Sequence, residues 1–416
     1  MATAAKTIFR ELKSDEPKFY GALGLFGLAA LFGLVAAYYM ETNGHHVTGM
    51  NNQIVWGMPH VFAVFLIVAA SGALNVASIS SVFGKTAYKP LARLSGLVAI
   101  ALLVGGLAVL VLDLGRPDRL IVAMTTYNFK SIFAWNIFLY IGFLAVVAVY
   151  LWMMMERRMN RFSQTVGVVA FIWRLALTTG TGSIFGFLVA RQSYDAAVFA
   201  PLFIAMSFAL GLAVFILVLA VSCAADNRDL GDYIISKLGR LLGVFVAAVL
   251  YFVIVQHLTN LYAAEHYGVE RFILLEGGAI TTLFWMGQIA LGGLLPLALL
   301  FHPALNKSRS NIYAAAGLVI FGGLAQIYVI IIGGQSYPLV LFPGMEVKSS
   351  FFDGVVHTYL PSLPELILGI GGMAIAGLII MIGMKVLRFL PQSLADSATD
   401  PHHSSRLTNR KAENGQ

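Results

Sequence analysis

The feature that most constrains this chain is a succession of apolar runs near residues 20–40, 56–81, 91–112, 132–155, 166–190, 198–224, 241–263, 278–301, 312–333 and 364–387. A helix needs about 20 such residues to cross a hydrocarbon layer of roughly 30 Å. None of the runs alternates polar and apolar residues with a period of two, so the reading is helix rather than barrel. Composition agrees, with 11% of 416 residues charged and 59% hydrophobic. A soluble chain of this length carries about twice that charged fraction. The expected fold is all-α: a polytopic integral membrane protein of ten transmembrane helices, with lipid as its main surroundings. The first run, from Tyr20 to Tyr39, exceeds a signal-peptide core of about 7–15 residues, so a retained helix is expected there.

Lys and Arg give the orientation. The two ends and alternate connections carry twenty of them and the opposite connections six, with Arg174 inside a span. That bias predicts both termini on the cytoplasmic side and favours an even number of spans. The net charge of +7 therefore reports topology, and no nucleic-acid partner is expected. The single cysteine, Cys223, excludes a disulfide or a cysteine-ligated iron–sulfur cluster within this chain. No metal site is expected either.

Polar residues inside such spans are costly and mark candidate sites. His60 lies just inside span two. Asp113 closes span three, followed by Arg116. Tyr127 and Asn128 precede span four, which carries Trp135 and Asn136. All are expected at one level in the outer leaflet, as a pocket for a polar headgroup with an apolar tail requires. A quinone fits that description. Plainer readings stand beside it: Asp113 and Arg116 as an ion pair at a helix end, Asn128 as a helix cap, His60 as an interfacial anchor.

A second set lies deeper. Arg174 falls near mid-membrane, with Thr178 and Thr181 on its face. His257, Asn260 and Glu265, beside Gln256, fall in and just after span seven. Both groups are candidates for a proton path, or for hydrogen-bonded packing between helices. A secondary transporter or ion channel with a midplane site around Arg174 is the alternative function. It lacks the matched interruptions expected of inverted repeats. A transmembrane haem would need two facing histidines. Only His60 and His257 could match in depth, from helices five apart, so no haem is expected.

Trp56-Gly57-Met58-Pro59, Ser71-Gly72-Ala73, Leu112-Asp113-Leu114-Gly115-Arg116-Pro117 and Tyr127-Asn128-Phe129-Lys130-Ser131 before Trp135 together resemble the NrfD/PsrC family of respiratory membrane subunits. Ten spans and a long last outer loop look most like its DsrP/HmcC branch, found in sulfur-metabolising complexes. The Leu-Asp-Leu-Gly-Arg-Pro string is the most specific part. Elsewhere the likeness is one of hydropathy and span order, and the Tyr127–Phe129 turn departs from the Asn-Pro or Ser-Pro common there.

The resemblance implies two four-helix bundles plus two peripheral helices. A quinone-site bundle would occupy about 54–190 and a second bundle about 198–333. Around them come an N-terminal segment 1–19, a long outer loop 334–363, a last helix 364–388 and a disordered cytoplasmic tail 391–416. It further implies menaquinone or ubiquinone contacting His60 and Asp113, with Arg116 and Asn136 beside them. Electron exchange with a ferredoxin-like iron–sulfur subunit on the outer side is implied too, together with coupling to proton translocation. The setting would be the bacterial cytoplasmic (inner) membrane.

Overall fold

The computed structural model describes residues 8–13, 17–338 and 354–400. Ten helices in it are long and apolar enough to cross a membrane: spans one Pro17–Asn43, two Met58–Ser81, three Thr86–Leu112, four Ile132–Met155, five Asn160–Gly186, six Phe199–Ala225, seven Asp232–Tyr262, eight Ala279–Phe301, nine Arg309–Ser336 and ten Leu363–Val386. The chain is thus a polytopic all-α membrane protein. Span seven starts nine residues before its apolar run, because Asp232, Lys237 and Arg240 belong to its first turns.

Span two is the axis. Its most apolar window is 89% buried, against 22% for span one. It packs on spans three, five, six, nine and ten. Because lipid is as apolar as the helices, these contacts are held by close fit and not by exclusion of water. Small residues permit that fit. At the crossing of spans two and six, a Cβ on Gly72 would lie 1.5 Å from the Ser207 carbonyl oxygen, and one on Gly211 would lie 2.1 Å from Ala73 N. Gly182 of span five meets the backbone of Phe199 and Ala200 in the same way. Spans one and ten pack mainly on each other, and span ten also reaches spans two and three.

Spans eight and nine depart from regular α-helix. Residues Leu283–Leu294 and Val329–Gly333 form wider π-helical turns. Pro296, just past the segment in span eight, supplies no amide to the carbonyl four residues earlier. The two helices touch there backbone to backbone, at Gly292 and Gly322. Such turns are rare and often accompany function.

Disorder is expected from residue 391 onward. Residues 391–400 are instead ordered: Leu390–Pro391 pairs antiparallel with Phe9–Arg10, and Asp396–Thr399 is a short helix. Arg228 explains the order. It pairs with Asp226 at 2.6 Å and donates to the carbonyls of Leu390, Pro391 and Glu11. Those carbonyls face a fixed cation. The rest of the expected tail, 401–416, and residues 339–353 of the long loop lie outside the described residues.

Candidate functional site

Span two begins with Pro59 in its first turn, where a missing amide costs nothing. The residues before it are held in place by side chains from far along the sequence. The amides of Val55 and Trp56 donate to Gln335 Oε1 at 2.9 and 3.0 Å, and Gln335 Nε2 donates back to the Trp56 carbonyl at 3.0 Å. The Met58 amide donates to the Tyr359 hydroxyl at 2.6 Å, and that hydroxyl donates to Glu365 Oε1 at 2.5 Å. Glu365 is fully buried and also accepts from the amides of Gly49 and Ser362. Burial, and the carboxylate it donates to, push the Tyr359 phenol well up. Arg191 donates to the carbonyls of Gln53 and Gln335, and burial lowers its pKa. This scaffold sets the position of the next side chain inward, His60.

His60 Nδ1 approaches Asp113 Oδ2 to 2.9 Å, with the histidine side chain 20% exposed and the aspartate side chain fully covered. The approach is not aligned as a hydrogen bond. Both Asp113 oxygens and His60 Nδ1 lack a hydrogen-bond partner among the described residues. Such a group costs about 1–3 kcal/mol to leave unsatisfied. Trp56 stacks on the imidazole at 6.1 Å and 24°, and meets Phe133 and Phe185 edge-on. The result is a carboxylate open to a donor, an imidazole at the rim and a planar aromatic wall. This set can take a hydrogen from a ligand hydroxyl and hold a flat ring beside it.

Not every candidate joins that set. Gly115, at φ +72°, turns the chain after Asp113. Arg116 then forms a two-bonded pair with Asp118 at 3.0 Å instead of an ion pair with Asp113. Each of these exposed partners favours the other's charged form. Tyr127 and Trp135 join a surface aromatic strap, Tyr127 on Phe138 at 4.3 Å and Trp135 on Phe129 at 6.0 Å. Asn128 Oδ1 accepts from the Lys130 amide in the turn before span four, whose cap is Ser131. None of these four hydrogen-bonds with His60 or Asp113. Asn136 is buried and donates to the carbonyls of Ile132 and Gly180, tying span four to span five.

Arg174 is wholly buried between the rings of Phe171 and Phe208, and donates to Asn75 Oδ1 at 3.1 Å. Thr178 and Thr181 donate to carbonyls of their own helix, and Ser71 bonds Thr178 at 2.6 Å. The packing reading accounts for both threonines. His257 and Asn260 have a carboxylate partner, but it is Glu270, at 2.7 and 2.8 Å. Glu265 is on the surface beside His266. Its expected place near His257 assumes a continuing helix, whereas span seven ends at Tyr262.

The sequence reading missed Glu270, Gln335, Tyr359 and Glu365. It also missed Glu41 Oε1 and His45 Nε2, which are buried without hydrogen-bond partners among the described residues. His45 lies against Gly115. No local sequence signal marks Glu270, Gln335, Tyr359 or Glu365, because their partners lie far along the chain or across the end of a helix. Among the described residues no three His, Cys, Asp or Glu side chains gather as a metal site.

The sequence matches the family described as polysulphide reductase, NrfD, over residues 46–338, which hold spans two to nine. Similar proteins include the Hdr-like menaquinol oxidoreductase integral membrane subunit of Archaeoglobus fulgidus, 24% identical over 94% of this chain and 99% of that protein. A putative dimethyl sulfoxide reductase membrane subunit of Halobacterium salinarum is 30% identical over 89% of this chain and 91% of its own length. The menaquinone reductase integral membrane subunit of Nitratidesulfovibrio vulgaris is 23% identical over 87% of this chain and 89% of its own length.

Proposed function

The chain belongs to the polysulphide reductase NrfD family, and on that premise we propose that it is the quinone-interacting membrane subunit of an electron-transfer complex. The carrying observation is the open His60–Asp113 pair: a covered carboxylate with no aligned donor, beside an imidazole and an aromatic wall. The names of relatives as menaquinol and menaquinone oxidoreductase subunits support a quinone as the ligand. The residues fit it. A flat headgroup can lie along Trp56 and His60, with a hydroxyl or carbonyl at the pair and its isoprenoid tail in lipid.

A bound quinol supplies electrons and protons together. Asp113 accepts a proton from the ring hydroxyl. His60, at the rim, exchanges that proton with water, while Trp56 and Phe133 fix the ring. Electrons pass to an iron–sulfur subunit docked on the outer side, because this chain has no cysteine motif for a cluster. The Lys and Arg bias supports both termini being cytoplasmic in the cell's cytoplasmic membrane. The orphaned carboxylate is explained if its donor comes from the ligand.

The test is quinol turnover by the assembled complex. His60→Ala and Asp113→Asn should each lower it by roughly 100-fold or more, the usual worth of a positioned acid or base. If both variants keep turnover, the site is elsewhere.

A further inference from the structure

Spans six to nine enclose polar groups that the His60–Asp113 site does not use. One cavity of about 30 Å³ between these helices is lined by Met206, Leu250, Gln288 and Gln326 among others. A second, of about 20 Å³, is lined by Ser193, Gln256, His257, Gln288 and Gln326. A cavity needs about 10–15 Å³ of such space to hold one water, so each has room for water. Gln288 and Gln326 line both spaces. Gln326 is 4% exposed and its Nε2 has no hydrogen-bond partner among the described residues. A buried amide donor facing a cavity of water size is satisfied by water. The π-helical turns of spans eight and nine run through Gln288 and beside Gln326, and widen the helices at this level.

His257, on the wall of the smaller cavity, carries the Glu270 contact on its Nδ1 side. Glu270 is fully buried, and its second oxygen accepts from Asn260. Other groups nearby are accounted for. Arg271 turns outward to Glu276, Glu265 lies on the surface with His266, and the Tyr337 hydroxyl lies over Gly268. Among the described residues no Lys or Arg pairs with Glu270, and the titratable side chain that meets it is His257.

We propose that this is a proton-exchange site with its own water, separate from the quinone pair: cavity water delivers protons through His257 to the Glu270 carboxylate. In the step, a hydronium in the cavity gives a proton to the free ring nitrogen of His257. The Nδ1 hydrogen passes to Glu270 Oε2, leaving water, a neutral imidazole of the other tautomer and a carboxylic acid. The return step reverses each bond. Asn260 holds the other carboxylate oxygen in both states. The inference stands whether or not a quinone binds at His60.

The test is infrared spectroscopy of the full-length protein in lipid nanodiscs, titrated from about pH 4 to about pH 10, the range over which burial and pairing can place a carboxyl. The wild type should show a buried carboxylic acid band that titrates and shifts in heavy water. The band should vanish in Glu270→Gln and persist in Glu265→Gln. Gln326→Leu keeps the carboxylate and both its partners but takes away the amide that lines both cavities and would hold their water, and should slow the heavy-water shift about tenfold. A band that survives Glu270→Gln, the lack of any titrating band in the wild type, or an unchanged shift rate in Gln326→Leu each overturns the proposal. Quinol turnover is not read, so failure here is distinct from failure at His60.

Discussion

Two histidine–carboxylate pairs lie toward the same end of the helix bundle, one where span two begins and span three ends, the other where span seven ends. Their separations are alike, 2.9 Å for His60–Asp113 and 2.7 Å for His257–Glu270. Their bonding is not. Glu270 has an aligned partner on each oxygen, while Asp113 has none. The protein's own side chains complete the bonding of Glu270 and leave that of Asp113 incomplete. An unsatisfied carboxylate persists where another molecule completes it, so the open pair is read as a ligand site and the closed pair as an internal one.

The comparison breaks most directly in turnover. Asp113→Asn should lower quinol oxidation by the assembled complex roughly 100-fold or more, while Glu270→Gln should leave it within about threefold. Equal losses from the two would remove the functional distinction between open and closed.

Stability should run the other way. Glu270→Gln disturbs a completed set of bonds and should cost about 1–3 kcal/mol. Asp113→Asn replaces a carboxyl group whose oxygens no described residue hydrogen-bonds, and should leave the melting temperature unchanged or raised. Thermal unfolding of the two variants in one detergent checks this. A lower melting point for Asp113→Asn than for Glu270→Gln would mean that the open pair is structural after all.

The uneven legibility of the two pairs has a physical cause. Hydropathy reports what the bilayer demands, and it placed all ten spans but began spans three, five and seven too late, where their first turns carry polar residues. His60 and Asp113 sit at span ends, so the same profile located both. Glu270 was out of reach because helical period stops counting where the helix stops. The chain leaves span seven at Tyr262 and returns through the short helix Tyr267–Arg271, which brings residue 270 and not 265 to His257. Gln335, Tyr359 and Glu365 act on residues about 300 positions away, and no local pattern announces such a contact. The π-helical turns of spans eight and nine were equally invisible. Pro296 hints at one and says nothing of its extent.

A smaller effect sharpens how the open pair is held. Tyr359→Phe removes the acceptor for the Met58 amide and the donor for Glu365, without touching His60. It should cost about 1 kcal/mol of stability and raise KM for quinol more than it lowers kcat, since it loosens where span two begins. Loss of kcat at unchanged KM would instead put the hydroxyl in the chemistry.

The smallest effect belongs to Arg116, three residues from Asp113 and within the same Leu112–Pro117 string. Adjacency in a motif suggests a shared task, and a helix would bring the two side chains together. Asp113 is the residue that ends the helix, and Gly115 reverses the chain before Arg116, which pairs with Asp118 in the open. An exposed pair of this kind is screened by salt and adds little. Arg116→Ala should therefore keep quinol turnover within about twofold at both low and high ionic strength. A loss near that of Asp113→Asn would mean that Arg116 swings toward the carboxylate when the ligand binds. A loss seen only at low salt would place it at the docking surface of a charged partner. The open pair would then be open to two partners at once, the headgroup from the membrane and the electron acceptor from outside.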